Sequence, residues 1–274
     1  MQPFIHLHVH TQYSVLDGQA SVSALVDKAI ADGMPGLAIT DHGNMFGIKE
    51  FYNYAKKKNG KTNDQIKEAE KAAEEASKQG DEETAKSKRD EADALRKKLL
   101  KPIFGCEMYV AKNSLREKSD KTDKGRHLVV LAKNETGYHN LVKIVSQGWT
   151  EGFYHHPRTD KEALYAHREG LIVCSACLGG EIPKLIMAGD IEEAERQVKW
   201  FKDTFGEDYY IELQRHWTDK PGGNREVYEL QEKVNPVLIN IARKYGIKLI
   251  ATNDVHFVNE NDAEAHDRLI CVST

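Results

Sequence analysis

Short runs of β-branched and aromatic residues alternate with amphipathic stretches along most of the chain. Seven runs are predicted as strands: 4–10 (FIHLHVH), 36–40 (GLAIT), 102–110 (PIFGCEMYV), 127–132 (HLVVLA), 171–176 (LIVCSA), 208–213 (DYYIEL) and 247–252 (IKLIAT). Between them, residues 21–33, 140–149, 191–206 and 225–246 place apolar side chains at helical spacing. Glycine closes several of these stretches before the next strand begins, as in ARKYGIKLIAT, where Gly246 stands at a C-cap position. Repeated β-then-α units predict parallel strands joined by right-handed crossovers. Seven such units in one rhythm predict an α/β fold closed into a barrel, with an open doubly wound sheet as the alternative.

One segment leaves the rhythm. Residues 56–98 are dominated by Lys, Glu, Asp, Ala, Gln and Ser. Thr62-x-x-Gln65 has the form of a capping box opening a helix, and Gly80-Asp81 that of a stop followed by a fresh N-cap. An exposed helical hairpin inserted between the second and third strands is expected. Its lysines alternate with acids, so a solvated face laced with salt bridges is expected there rather than a nucleic-acid contact.

The first strand carries unusual chemistry. Period two would put His6, His8 and His10 on one face and Ile5, Leu7 and Val9 on the other. Such a row can be the wet side of a half-buried strand. However, histidine is not a favoured strand residue, and two imidazoles one strand repeat apart suit a metal ion. Matching donors recur where barrel enzymes build their sites, at the C-terminal ends of strands. His8 and His10 end the first strand and Asp17 follows it; Asp41-His42 ends the second, and the third carries Glu107. Cys177 follows the fifth, and Asp254 and His256 follow the seventh. His127 opens the fourth, which is the wrong end under a simple barrel rule. Singly, each of these reads as a turn or cap residue. Together they form a mixture of imidazole, carboxylate and thiolate that suits Zn²⁺, Mn²⁺ or Fe²⁺ better than Mg²⁺ or Ca²⁺. In Cys174-x-x-Cys177 the two residues lie three apart and point to opposite faces of an extended segment. Cys177, beside two glycines, is therefore the expected ligand and Cys174 a wall residue.

Bulk composition narrows the class. The 274 residues are 40% hydrophobic and 30% charged, as in a soluble globular protein. No run approaches the ~20 apolar residues of a bilayer span and no signal-peptide pattern opens the chain, so no membrane partner is expected. The formal net charge of −4 argues against a surface that holds nucleic acid by bulk charge alone. Divalent cations in a pocket would reverse that locally. Four cysteines at this length do not make a disulfide framework, and a reducing cytoplasm is the expected compartment. Candidate ligands within ten residues of the start suggest a native N-terminus. The end, AEAHDRLICVST, breaks off inside an apolar helical run without a stop signal and suggests a fragment of a longer polypeptide.

The segments HLHVHTQYSVLDG, AITDHGNMFG, KPIFGCEMYVA, HLVVLAKNETGYHNL, GFYHHPRTDKE, GLIVCSACLGGEIP, YIELQRH and IATNDVHFVNENDAEAHD occur in this order. They resemble the polymerase-and-histidinol-phosphatase (PHP) family, in the form found at the N-terminus of bacterial replicative DNA polymerases. The resemblance covers nearly the whole chain except residues 56–98. It implies one PHP domain over 1–274, a distorted (β/α)7 barrel, and two or three divalent transition-metal ions. By resemblance, His8, His10, Glu107 and Asp254 would hold one ion. Glu107 would bridge to a second with His127 and Cys177, and Asp17, His42 and His256 would hold a third. His6 falls where many relatives carry aspartate and is expected to be structural or to support a ligand.

Three functions follow from the resemblance as expectations. The first is a metal-dependent 3′→5′ exonuclease acting in DNA replication on the primer 3′ end, with Glu107 and Asp254 catalytic through metal-activated water. Arg158 is then the candidate phosphate contact, and the remainder of the polymerase polypeptide and other replisome subunits are the partners. The second is a free-standing phosphatase for small monoesters. The third is a non-catalytic, metal-stabilised scaffold.

Overall fold

In chain order the elements are α1 (Val22–Ala31), β1 (Gly36–Ile39), α2 (Ile48–Lys78), α3 (Glu82–Arg96), β2 (Lys101–Val110), β3 (Arg126–Ala132), α4 (Glu135–Thr150), β4 (Phe153–Tyr154) and β5 (His156–Thr159). They continue with α5 (Lys161–Ala166), β6 (Leu171–Cys174), α6 (Glu181–Met187), α7 (Ile191–Phe205), β7 (Tyr209–Leu213), α8 (Glu226–Tyr245), β8 (Lys248–Ala251) and α9 (Ala263–Ile270). This is a computed structural model, and it describes residues 4–220 and 225–272; the last two residues of the C-terminal apolar run lie outside that range. Helix ends follow local chemistry. Ser21, Asn134 and Asp190 each accept a hydrogen bond from the backbone N–H three residues on, at α1, α4 and α7, and α8 closes on left-handed Gly246.

The sheet closes into a distorted barrel of seven staves. Neighbours run β1–β2–β3–β6–β7–β8, and the N-terminal segment fills the remaining gap. His6 bridges Leu37 on one side and Val9 bridges Val255 on the other. The N–H groups of Ala38 and Thr40 donate to the carbonyls of His6 and Val9, and those of His10 and Val255 complete the other side.

Two sequence expectations are corrected here. The strands are not all parallel, because β3 runs antiparallel to both β2 and β6. The connection from Val110 to Arg126 contains no helix, so the chain returns beside β2 instead of crossing over. The capping box at Thr62 is not used either. α2 runs unbroken from Ile48 to Lys78, so the hairpin is an extension of a core helix. Asp81 does cap the return helix, accepting from Thr84 N–H at 3.0 Å. Between the arms Ile66, Ala69, Ala73, Ala85 and Ala92 are buried, and pairs such as Lys78–Glu74 and Arg96–Glu70 line the outside.

Inside the barrel, Ala38, Val129, Leu131, Cys174 and Ala176 pack together with Leu7, Ile103, Ile172, Tyr210 and Ile250 around them. The end formed by the beginning of β2 and the end of β3 opens into a cavity of about 1010 Å³ lined by residues such as Leu7, Ile103, Phe104, Ile172 and Ile250. None of the nine predicted metal-ligand positions lines it. Those residues lie at the opposite mouth.

Candidate metal centre

Each predicted ligand reaches that mouth by an identifiable route. His8 and His10 come from the N-terminal stave, Glu107 from β2, and His42 from the turn after β1, where it bridges to Glu107. Because β3 is antiparallel, its first residues lie at the mouth, and this resolves the apparent misplacement of His127. The His127 N–H donates to the Gly179 carbonyl, and a Cβ on Gly179 would stand 2.7 Å from His127 Nδ1. Only glycine permits that approach. Two predicted ligands depend on unusual backbone: Ala176, just before Cys177, has φ +63°, and Asp254 itself has φ +50°. Non-glycine residues in this region cost roughly 1–3 kcal/mol and cluster at functional sites.

Glu107 lies at the centre. Its Oε1 is 3.1 Å from His8 Nε2 and 3.1 Å from His127 Nδ1, and its Oε2 is 2.8 Å from His42 Nδ1 and 3.4 Å from His10 Nε2. Asp254 Oδ1 stands 3.2 Å from His8 Nε2 and 3.1 Å from His10 Nε2. Cys177 Sγ lies 3.4 Å from His127 Nδ1 and 3.7 Å from Glu107 Oε1. On the far side, Asp17 Oδ2 is 3.1 Å from His42 Nε2 and 3.8 Å from His256 Nε2. His42 thus stands between Asp17 and Glu107 rather than with Asp17 and His256 alone.

These contacts are short, but several are not hydrogen bonds. His8 Nε2, His10 Nε2, His42 Nδ1, Glu107 Oε2, Asp254 Oδ1 and Asp17 Oδ1 are buried without a hydrogen-bond partner among the described residues. Orphaned buried polar atoms are costly and call for an explanation. Three overlapping groups place single donor atoms within 4.8 Å of one another: His8, His10 and Glu107; His42, Glu107 and His127; and His10, His42 and His256. Donors around one tetrahedral ion at ~2.0–2.1 Å would be about 3.3 Å apart, close to the distances found. The residues fit a metal centre.

The far sides of the rings are anchored. His8 Nδ1 meets Glu212 Oε1 at 2.7 Å, and that carboxylate also accepts from Gln214 and Thr252. His10 Nδ1 meets Ser14 Oγ at 2.9 Å, and Ser14 donates to Asp41. His256 Nδ1 lies 2.8 Å from the Asp254 carbonyl oxygen. Such partners fix the tautomer and leave Nε2 free to ligate. Glu212, Ser14 and Asp41 were not assigned this role from sequence. The signal was present for Glu212, which alternates with Tyr210 on the inward face of a strand.

Charge is tightly balanced among these side chains. Burial opposes a charged His8, but Asp254, Glu107 and Glu212 outweigh it and hold its pKa well above the usual imidazole range. Burial likewise opposes a charged His42, yet Glu107 and Asp17 push it up to about 10. Glu107 sits well below the usual carboxylate range: burial works against it, and His127, His8 and His42 prevail. Burial, then Glu107 and Asp254, push the Cys177 thiol up.

Three other predicted residues are placed as follows. Arg158 is completely buried. Its guanidinium donates to Asp123 Oδ2 at 3.0 Å and to the carbonyls of Asp123, Glu117, Leu115 and Gly152. It clamps the 112–125 loop and has no face for a phosphate, so that expectation is corrected. His6 does not share a face with His8 and His10. The chain bends at His8, and His6 lines a cavity with Val9, Leu25 and Ala29 beside α1. Cys174 packs inside the barrel and lines the cavity at its other end, and it and Cys177 are both free thiols.

The family profile described as PHP domain matches residues 6–216. The chain is 41% identical over 273 residues to DNA polymerase III subunit alpha of Borreliella burgdorferi, covering 99% of this chain and 19% of that protein. To the same subunit of Treponema pallidum it is 39% identical over 274 residues, again covering 99% and 19%. The chain therefore spans about a fifth of the length of the curated relatives it matches. Among solved structures, an amidohydrolase from Chromobacterium violaceum aligns with a TM-score of 0.49 at 13% identity, covering 97% of this chain and 96% of that one.

Proposed function

Because this chain belongs to the PHP domain family, we propose that it is the N-terminal part of a DNA polymerase III alpha subunit and acts as a metal-dependent 3′→5′ phosphodiesterase. The observation that carries this reading is the set of unpartnered donor atoms converging on Glu107. Bound divalent ions in such sites supply a nucleophile from water near neutral pH and neutralise the phosphoryl oxygens.

The residues themselves set up the rest. His8, His10 and Glu107 form a sealed base, whereas the His127 and Asp17 side chains are 26% and 29% exposed. A phosphodiester therefore enters from the rim that His127 and Asp17 share. Glu212 and Ser14 hold the base imidazoles in one orientation, so little reorganisation accompanies ligation. Zn²⁺, Mn²⁺ and Fe²⁺ suit the mixed nitrogen, oxygen and sulfur set.

Elemental analysis combined with a manganese-supplemented exonuclease assay tests this proposal. Two or three transition-metal ions per chain and release of single nucleotides from a 3′-labelled primer are expected. Hydrolysis of a nucleotide monophosphate without primer trimming would replace it with a phosphatase function. Bound metal with no hydrolysis of either substrate would leave a structural brace.

Glu212 offers a separate check. Glu212→Gln removes the charge that orients His8 while keeping the side-chain volume. Metal affinity should fall about 10–100-fold, measured by competition with a chromogenic chelator. Equal affinities in variant and parent would show that Glu212 does not act through His8.

A further inference from the structure

Beside the candidate centre lies an aromatic surface that the metal ligands do not use. Phe46, Trp149 and Phe153 are 61%, 42% and 46% exposed. Their rings are adjacent, with centroids 5.8 Å apart between Phe46 and Trp149 and 5.6 Å between Trp149 and Phe153. This platform is tied to the site. Trp149 Nε1 donates to the Gly43 carbonyl at 2.8 Å, and the Gly43 N–H donates to the Glu107 carbonyl. Gly43 directly follows His42. Left-handed His155 (φ +60°) turns the chain after Phe153 so that His156 stacks on Tyr109 at 4.3 Å. Tyr109 in turn lies 5.7 Å from the His42 ring and 5.3 Å from the His127 ring.

Across Tyr109 the surface changes character. Gly125 packs on the Tyr109 backbone and Cβ, which brings Lys124 and Arg126 to the site, both exposed. Gly180 bridges His127 and caps α6, which carries half-buried Lys184 one turn later. Among the described residues, none of these three cations has an ion pair or a side-chain hydrogen bond. Some exposed cations of this acidic chain pair with neighbouring acids, as Lys28 does with Asp32 and Lys199 with Asp203, and others such as Lys57 and Lys143 do not among the described residues. What sets Lys124, Arg126 and Lys184 apart is their place next to Tyr109 and His127. Unpaired cations on one side of a metal-ligand cluster and exposed aromatic faces on the other match the two halves of a nucleotide chain, whose phosphates seek positive charge and whose bases seek π-faces.

We propose that this mouth binds the terminal nucleotides of a single-stranded nucleic acid, with bases stacked on Phe46, Trp149 and Phe153 and phosphates held by Lys124, Arg126 and Lys184. The proposal rests on the phosphodiesterase reading and adds to it the residues that grip the strand outside the metal ligands. It also answers the unfavourable net charge, because the contact is local.

The test is fluorescence anisotropy on the metal-loaded chain, with an oligothymidylate whose 3′ linkage is a phosphorothioate and an abasic strand of equal length. Phe46→Ala/Phe153→Ala should weaken oligothymidylate binding roughly tenfold or more and leave the abasic strand unaffected. Phe46→Tyr, which keeps a π-face, should retain affinity. Arg126→Gln/Lys184→Gln should weaken both strands and lower the salt dependence by about one to two counterions. Unchanged oligothymidylate affinity in the aromatic double variant, or equal loss on the abasic strand, overturns the platform; the face would then belong to a protein contact. Hydrolysis of methyl p-nitrophenyl phosphate by the unaltered chain is measured in parallel. Its absence beside aromatic-dependent binding removes the phosphodiesterase reading but leaves the platform. Its presence beside aromatic-independent binding does the reverse.

Discussion

Glu107→Gln should reduce 3′-end trimming by at least ~10³-fold, equivalent to about 4 kcal/mol of activation barrier, while the fold survives. The carboxylate meets four imidazoles from both oxygens, at 2.8–3.4 Å. An amide retains one weak neutral acceptor and turns a donor NH₂ toward whatever cation the other oxygen faced. Two of the three donor groups that can hold an ion include Glu107, so both should weaken together. His42→Ala removes a ring whose two nitrogens face Asp17 and Glu107, and should leave measurable trimming at high Mn²⁺. Single-nucleotide release from a 3′-labelled primer reads both variants, with melting curves as the fold control. Undiminished trimming by Glu107→Gln would mean that the activity arises elsewhere.

Chelation should lower the melting temperature by on the order of 10 °C. One ion present at a thousand times its dissociation constant contributes about 4 kcal/mol of stability, and a chain of this size shifts by about 2–4 °C per kcal/mol. The drop should also depend on pH. In the metal-free chain the carboxylates do not face one another bare, because the imidazoles intervene and carry compensating protons. The folded-state pKa of His42 is raised from 6.5 to about 10, so its contribution is fully present below about pH 6.5 and is lost as pH rises toward 10. Metal binding strengthens over the same range because protons compete less for the ligands. The difference between metal-loaded and chelated melting temperatures should therefore widen from pH 6.5 to pH 9. An unchanged melting curve after verified metal removal would rule out the ions as a brace.

Much of this architecture is legible locally. The strand runs, the caps at Ser21, Asp81 and Gly246, and the solvated hairpin follow from side-chain and backbone preferences acting within a few residues. The donor types could be marked for the same reason, since each lies in or beside a predicted strand and its identity needs no partner. Arg158 illustrates the limit. HPRT reads as a phosphate contact, but β5 pairs with β2 and turns the guanidinium inward onto the carbonyls of a loop some 40 residues earlier in the chain.

Most strand and helix positions, and the residues that carry donor chemistry, follow from period, caps and functional groups; the run at 4–10, read as a strand, instead joins the barrel through isolated bridges. Long-range pairing sets the rest: β3 runs backward and delivers His127 to the mouth, the bend at His8 sends His6 outward, and Glu212 meets His8 across 204 residues of chain. Strand direction and side-chain convergence are set by pairing and packing between distant segments, and no window of the sequence contains both partners.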